Sequence, residues 1–256
     1  MICVFDCETI PDANLIRKVF GYEGDDKSVS LQALKMQEEK SGSSFLPITF
    51  HKVVAISAVI ADDFGHFSRV NSLEGEKESE LIGSFLSFLD KKSPKLISYN
   101  GRSFDMPMLM NRALAYNLSC PTYFDTKSFG KSKWENYRSR YSDSFHIDLM
   151  DHLSDFGAAR GLKLDEVCKM CNLPGKFDTK GDDVITLFYD NELDKIRAYC
   201  ESDALNTYWL FLKYELLKGN LTLQDYASSL LSMQKTLGEN SPFYAYIQNE
   251  INFLEH

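Results

Sequence analysis

The sequence has no long hydrophobic run, no excess of positive charge and few groups that ligate soft metals, and each absence removes a class of protein. No apolar stretch among the 256 residues approaches the ~18 that a membrane-spanning helix needs. The opening Met1-Ile2-Cys3-Val4-Phe5-Asp6 carries neither the charged region nor the long apolar stretch of a signal peptide. A soluble, cytoplasmic chain without a membrane partner is expected. Lys and Arg number 28 against 37 Asp and Glu, a formal net charge of −9, so bulk electrostatics would not be what holds this chain on nucleic acid. Nucleases stay open, because the carboxylates of a cation site contribute negative charge that bound ions neutralise. The six cysteines (Cys3, Cys7, Cys120, Cys168, Cys171 and Cys200) sit in apolar or helical-looking segments and read as buried free thiols. Cys168-Lys169-Met170-Cys171 has no second CxxC and no histidine pair at finger spacing to complete four ligands, so it reads as packing. Internal repeats, low-complexity tracts and obvious linkers are also missing, and one large α/β domain with insertions is the starting expectation.

What is present is a strand–helix order. Residues 1–6 and 52–60 are short runs of β-formers, and 66–70 resumes the alternation after the turn residues Asp62-Asp63-Phe64-Gly65, which predicts a hairpin. Glu78 to Leu89 has apolar residues at helical spacing and Ser93-Pro94 closes it. Lys95 to Tyr99 is another strand, Ser103 is a candidate cap for a helix running to about Tyr116, and Phe145 to Leu149 is a last short strand. Leu193 to Leu217 is a long helix with an apolar stripe. A mixed sheet with helices on both faces follows. Residues 11–50, polar with a weak helical centre at Leu31 to Glu39, and 117–144, without a clear period, interrupt it as insertions.

Asp6 and Glu8 are one residue apart at the predicted end of the first strand, so the period of two turns both carboxylates to one side. Asp105 falls in the first turn of a helix after an Asn100-Gly101 turn. Tyr199 and Asp203 are spaced i, i+4, which places them on one helix face. Taken singly, each has a plain structural reading: a strand end, a helix cap, a core tyrosine, a solvated aspartate.

Taken in order, Phe5-Asp6-Cys7-Glu8-Thr9, Asn100 through Asp105 and Tyr199 through Asp203 resemble the signature of the DEDDy-type 3'-5' exonucleases of the ribonuclease H-like superfamily. The likeness extends to bacterial exonucleases related to the proofreading domain of family B DNA polymerases, through His146-Ile147-Asp148-Leu149-Met150-Asp151, Leu173-Pro174-Gly175-Lys176 and Tyr199 through Thr207. It covers roughly residues 1–10 and 52–214. It implies a ribonuclease H-like mixed five-stranded sheet, with an exonuclease domain over 1–214 and a helical extension, 215–256, packed on it. The activity implied is hydrolysis of phosphodiester bonds from the 3' end of single-stranded nucleic acid, DNA ahead of RNA, with replication or repair proteins as partners.

The chemistry agrees with that implication. Four converging carboxylates would repel one another unless cations occupy the site, and all-oxygen ligands select Mg²⁺ or Mn²⁺. Two such ions about 3.5–4 Å apart can activate a water and stabilise the leaving oxygen. By resemblance Asp6 bridges both ions, Glu8 and Asp203 hold the ion carrying the nucleophile, Asp105 acts partly through water, and Tyr199 stands beside the attacking water. Thr9, Asn100 and Phe104 fall to the substrate, Phe104 as a stacking or wedging ring. A catalytically weak nucleic-acid-binding module, an RNA-trimming exoribonuclease and a non-nucleolytic metal hydrolase are the alternatives. The intact set of five favours turnover, since loss of one ligand is the expected mark of a binding module.

His146, Asp148, Asp151 and His152 could be drawn as a metal site, but as a strand end and one helical turn they read as satisfied structural groups. The stretch 123–141 mixes Lys127, Lys131, Lys133, Arg138 and Arg140 with six aromatic rings, which suits either a single-strand path through Lys131 and Lys133 or a solvated loop. Replacing Lys131 and Lys133 by Ala should weaken single-strand binding and reduce its salt dependence by about two counter-ion equivalents at most. An unchanged slope in a salt titration returns the segment to the solvated-loop reading.

Overall fold

The computed structural model describes residues 1–127, 134–177 and 181–254. Lys131, Lys133 and Phe129 lie outside the described residues. Five strands, β1 (Ile2–Pro11), β2 (His51–Ala61), β3 (Phe67–Ser72), β4 (Lys95–Ser98) and β5 (His146–Asp148), form one sheet in the order β3-β2-β1-β4-β5. β2 is antiparallel to both β1 and β3, whereas β4 runs parallel to β1 and to β5. The expected mixed five-stranded sheet is therefore present.

β1 is longer than the six residues its apolar run suggested. β2 pairs with it all the way to Pro11 opposite His51, so Asp6 and Glu8 lie inside the strand rather than at its C-terminal end. What stops early is the parallel partner: β4 pairs only with Ile2 to Val4. The two carboxylates thus stand just beyond the parallel part of the sheet, where open α/β sheets leave a crevice.

Helices α1 (Ala13–Phe20) and α2 (Asp26–Ser41) lie between β1 and β2, and α3 (Glu78–Lys92) joins β3 to β4. Between β4 and β5 come α4 (Asp105–Ala115) and α5 (Pro121–Phe124). Then α6 (Leu149–Leu153), α7 (Leu164–Met170) and α8 (Val184–Tyr189) lead into α9 (Leu193–Leu217), followed by α10 (Leu223–Leu237) and α11 (Tyr244–Leu254). Among the described residues no helix is long and apolar enough to cross a membrane.

The strand period of two sorts the core into two layers. Ile2 and Val4 face α9, α10 and α11, meeting Ala204, Tyr208, Trp209, Tyr226 and Ile247. Cys3 and Phe5 face α3 and α4, meeting Ile82, Phe85, Leu89 and Leu109. Helices therefore cover both faces. α9 does not carry the simple apolar stripe expected of it, since every residue from Asp203 to Leu212 is buried. Sheet on one side and α10 on the other leave that part of the helix no solvent face.

Two local expectations change. The segment 11–50 is two capped helices rather than one weak centre: Asp12 accepts from Leu15 N at 3.1 Å, Asp25 accepts from Ser28 N at 2.7 Å, and Gly21 and Gly42 end the helices at φ 69° and 75°. Ser103 does not cap α4, whose cap position is Phe104. Asn100, left-handed at φ 67°, instead turns the chain so that its carbonyl accepts from both Ser103 N and Phe104 N.

A buried ion network ties the first insertion to the body. Arg112 Nε donates to Glu78 Oε1 at 2.7 Å and Nη1 to Asp12 Oδ2 at 2.7 Å, while Glu78 also accepts from Val53 N at 2.8 Å and Tyr116 OH at 2.6 Å. Removing one partner of such a buried set leaves uncompensated charge, typically at ~3–5 kcal/mol. Arg112→Met should lower unfolding free energy by about that amount in a denaturant titration. A loss under ~1 kcal/mol would show that the network contributes little.

Candidate active site

The row Ile2, Val4, Asp6, Glu8 continues along the α9 face of β1, so the apolar packing that seats α9 on Val4 also brings Tyr199, Cys200 and Asp203 over the two carboxylates. One oxygen each from Asp6 and Glu8 and the Cys200 sulfur all lie within 4.8 Å of one another. Asp105 arrives from the start of α4, with the Cys7 thiol donating to its carboxylate. Gly101 makes this approach possible, because a Cβ there would stand 2.6 Å from Ser98 Cβ and 3.3 Å from Asp105 Oδ2. Asp148 holds the same turn by accepting from Asn100 N at 2.8 Å and Arg102 N at 2.9 Å. The structure thus brings Asp6, Glu8, Asp105, Tyr199 and Asp203 together.

Electrostatics report the crowding. Asp6 is held well above the usual carboxylate range by burial first and then by the charges of Glu8, Asp105 and Asp203. Burial and Asp203 do the same to Glu8. Burial raises Asp105 to about 7, and Asp203 is also raised, against the pull of Lys176. Asp203 Oδ1 is buried without a hydrogen-bond partner among the described residues. A buried carboxylate oxygen with nothing to accept from, inside a cluster of four carboxylates, fits a hard divalent cation.

Lys176 ends one of the matching motifs, yet nothing in its spacing ties it to the carboxylates. Its ammonium hydrogen-bonds the Tyr199 hydroxyl and lies 3.9 Å from Asp203 Oδ2, and Tyr199 in turn donates to Asp203. The lysine is aimed by its backbone. Asn206, one turn after Asp203 on α9, brackets Gly175 with bonds of 3.0 and 2.8 Å, and Asp165 accepts from Lys176 N at 2.8 Å. Burial and the charges of Asp203, Glu8 and Asp6 push the Tyr199 phenol far above its ordinary value. In this state it is a hydroxyl donor to Asp203.

Thr9 Oγ1 hydrogen-bonds His51 Nδ1 at 2.9 Å, and Phe104 meets the His51 ring edge-on at 4.9 Å and Phe45 at 5.1 Å. Phe45 and His51 had no signal in the sequence. His146, Asp148, Asp151 and His152 are spent structurally: His146 pairs with Ser98 at 2.7 Å, Asp151 with Arg140 and His152 with Tyr214 at 3.0 Å. All six cysteines are free, and Cys168 belongs to the hydrophobic core.

Residues 43–251 match the family model described as a predicted 3'-5' exonuclease related to the exonuclease domain of PolB. The chain belongs to this family. A DNA polymerase of Archaeoglobus fulgidus is 25% identical over 182 residues, covering 64% of this chain and 23% of the polymerase. The catalytic chain of DNA polymerase epsilon from Schizosaccharomyces pombe is 24% identical over 212 residues, 72% of this chain and 9% of that protein. The chain thus spans less than a quarter of the length of these relatives. Among solved structures, the family B DNA polymerase of Pyrobaculum calidifontis superposes with a TM-score of 0.52 at 17% identity, over 96% of this chain and 26% of that one. That likeness is one of fold, the ribonuclease H-like sheet expected from the motifs.

The raised carboxyls set a pH dependence with a definite sign. A group that holds its proton more tightly folded than unfolded stabilises the fold below its ordinary value, and that contribution is lost as pH rises through the folded one. For Asp105 the window runs from 3.8 to about 7. In chelator, the melting temperature should fall across that window. Mg²⁺ or Mn²⁺ should raise it more at about pH 8 than at about pH 5, because cations bind the ionised form. An Asp6→Ala protein whose melting responds to Mn²⁺ as the wild type does would remove Asp6 from the site.

Proposed function

We propose that the chain is a metal-dependent 3'→5' exonuclease that shortens single-stranded nucleic acid, DNA ahead of RNA, by a two-metal-ion mechanism. The observation carrying this reading is the convergence of Asp6, Glu8, Asp105 and Asp203 with an unpartnered Asp203 oxygen. These four would hold Mg²⁺ or Mn²⁺. Such ions, when bound, lower the pKa of water and neutralise charge on the leaving oxygen.

The chain's own groups do the positioning. The Tyr199 hydroxyl, held between Lys176 and Asp203, would orient the attacking water at the face where Asp203 and Glu8 meet. Lys176 keeps the phenol fixed by hydrogen bond and by standing 5.0 Å from the ring centre, and its charge would draw the scissile phosphate into an otherwise acidic site. Thr9, Asn100 and Phe104 line the approach beside Glu8 and Asp105 and would receive the terminal nucleotides. That the relatives named above are DNA polymerases supports DNA over RNA, and action beside replication or repair proteins.

Single-stranded DNA and RNA labelled at the 3' or the 5' end, incubated with Mg²⁺, Mn²⁺ or EDTA, test the reading. Stepwise loss of the 3' label and a shrinking ladder from the 5' label are expected, with EDTA suppressing both. Asp203→Asn should abolish the metal response together with turnover, since a neutral amide cannot compensate the cation. Tyr199→Phe keeps the ring and should leave metal binding intact while kcat falls, on the order of 10²–10⁴-fold. In the Tyr199→Phe background Lys176→Met should lower kcat little further, because the two share the fixing of the phenol, while KM rises with the loss of the charge that draws the phosphate. A Tyr199→Phe enzyme of wild-type rate strikes out the tyrosine-assisted step, and binding without end-dependent cleavage strikes out the exonuclease.

A further inference from the structure

Residues directly opposite one another in an antiparallel pair share a face of the sheet. The register sets Asp6 of β1 opposite Ser57 of β2, and Ser57 opposite Ser72 of β3, so a polar row crosses three strands beneath α9. The next row on that face, Val4, Val59 and Val70, is apolar throughout. Ser57 is fully buried, and a hydroxyl in such a place costs free energy unless it is bonded. Its bonds form a chain. Glu201 Oε1 accepts from Ser72 N at 2.8 Å and from Ser72 Oγ at 2.7 Å, and Ser57 Oγ lies 2.9 Å from Ser72 Oγ. Ser57 also hydrogen-bonds the Cys200 thiol, which donates to the Asp6 carbonyl at 3.3 Å and toward Asp6 Oδ2 at 3.7 Å.

We propose that Ser57 is a positioning residue for the cation site, holding the Asp6 carboxylate in place for the ion through the thiol of Cys200. This rests on the metal-dependent reading of the four carboxylates and adds to them a residue from the middle of the sheet. The sense of the bonds follows from the donors present. A carboxylate only accepts, so the Ser72 proton goes to Glu201. Ser72 Oγ then offers Ser57 nothing but lone pairs, and the single Ser57 proton is shared between that oxygen and the Cys200 sulfur. The thiol keeps its own proton for Asp6.

Asp6 needs such a hold. Glu8, Asp105 and Asp203 press on its carboxylate with like charge, and among the described residues the Cys200 thiol is its one side-chain donor. Groups behind a metal ligand that fix its orientation weigh on affinity nearly as the ligands do. Cys200 arrives on α9 and Ser57 on β2, so the thiol is set from the helix and from the sheet at once.

The test is the Mn²⁺ affinity of the full chain without substrate, read from the paramagnetic resonance of the free ion, with melting in chelator to show that each variant is folded. Cys200→Ala should weaken Mn²⁺ binding by roughly 10- to 100-fold, and Cys200→Ser, which keeps a donor, should recover most of it. Ser57→Ala should also weaken binding, and should add nothing in the Cys200→Ala background, because it acts through that thiol. Ser72→Ala leaves the Ser57 proton wholly to the sulfur and should bind Mn²⁺ at least as tightly as the wild type. A packing role does not separate the two serines in this way, since each variant removes one hydroxyl from the same row. Wild-type affinity in Ser57→Ala, or weakened binding in Ser72→Ala, overturns the positioning role and leaves the exonuclease intact. Ser72 is on the edge strand and only partly buried, so its variant decides the matter even where Ser57→Ala does not fold. A wild-type protein that neither binds Mn²⁺ nor shortens 3' ends overturns both readings.

Discussion

Four carboxylates held at one point repel one another, and most of this fold can be understood as the structure that keeps them there. A like-charged pair about 4 Å apart costs on the order of 4 kcal/mol at the effective dielectric of a protein surface. The chain meets this by protonation, which the raised Asp6, Glu8, Asp105 and Asp203 report, and by one partly buried ammonium, Lys176. Neither supplies a donor to the buried Asp203 Oδ1. Cohesion has to come from elsewhere, and it comes from α9. Its run from Asp203 to Leu212 is buried all round, so the helix cannot move away from β1 without exposing Trp209, Tyr208 and Phe211. Each such side chain contributes roughly 1.5–3 kcal/mol by burial.

The two cysteines nearest the cluster belong to the same constraint. Cys7 donates to Asp105, and Cys200 donates to the Asp6 carbonyl at 3.3 Å and toward its carboxylate at 3.7 Å. Burial and the surrounding carboxylates push both thiols well up, so they are neutral donors to the carboxylate cluster. As packing residues they match the reading of the sequence. As hydrogen-bond donors to the site they go beyond it.

What was legible in the sequence was what repeats along the backbone. The hairpin, β4, β5 and the long helix all stand in the apolar pattern, and Leu193 and Leu217 bound α9 in both the pattern and the structure. Strand and helix periods put Asp6 with Glu8 and Tyr199 with Asp203 on one face each, but what singled them out as a site was the resemblance of the three motifs taken in order. The length of β1 was not, because the residues after Glu8 are held by β2 and not by their own periodicity. In α2 only Val29, Ser30 and Ala33 are buried, so its apolar period is faint, although Asp25 and Gly42 marked its ends. Lys176 and His51 could not be tied to the site from the sequence for a different reason. Each reaches the site through bonds from residues distant in sequence, Asn206 and Asp165 for the first, Thr9 and Leu46 for the second.

That difference separates two kinds of part. The carboxylates ride on β1, α4 and α9, whose positions follow from core packing, and a change in any of them disturbs the fold as well as the site. Lys176 hangs on a strap clamped by Asn206, and Phe45 projects from the end of an insertion anchored through Asp12, Arg112 and Glu78. Such parts can be altered with little effect on the core. The ammonium and the exposed ring are therefore adjustable in this chain, whereas the placement of the four carboxylates is not. The first insertion, whose periodic signal is faint, can vary without moving a single carboxylate.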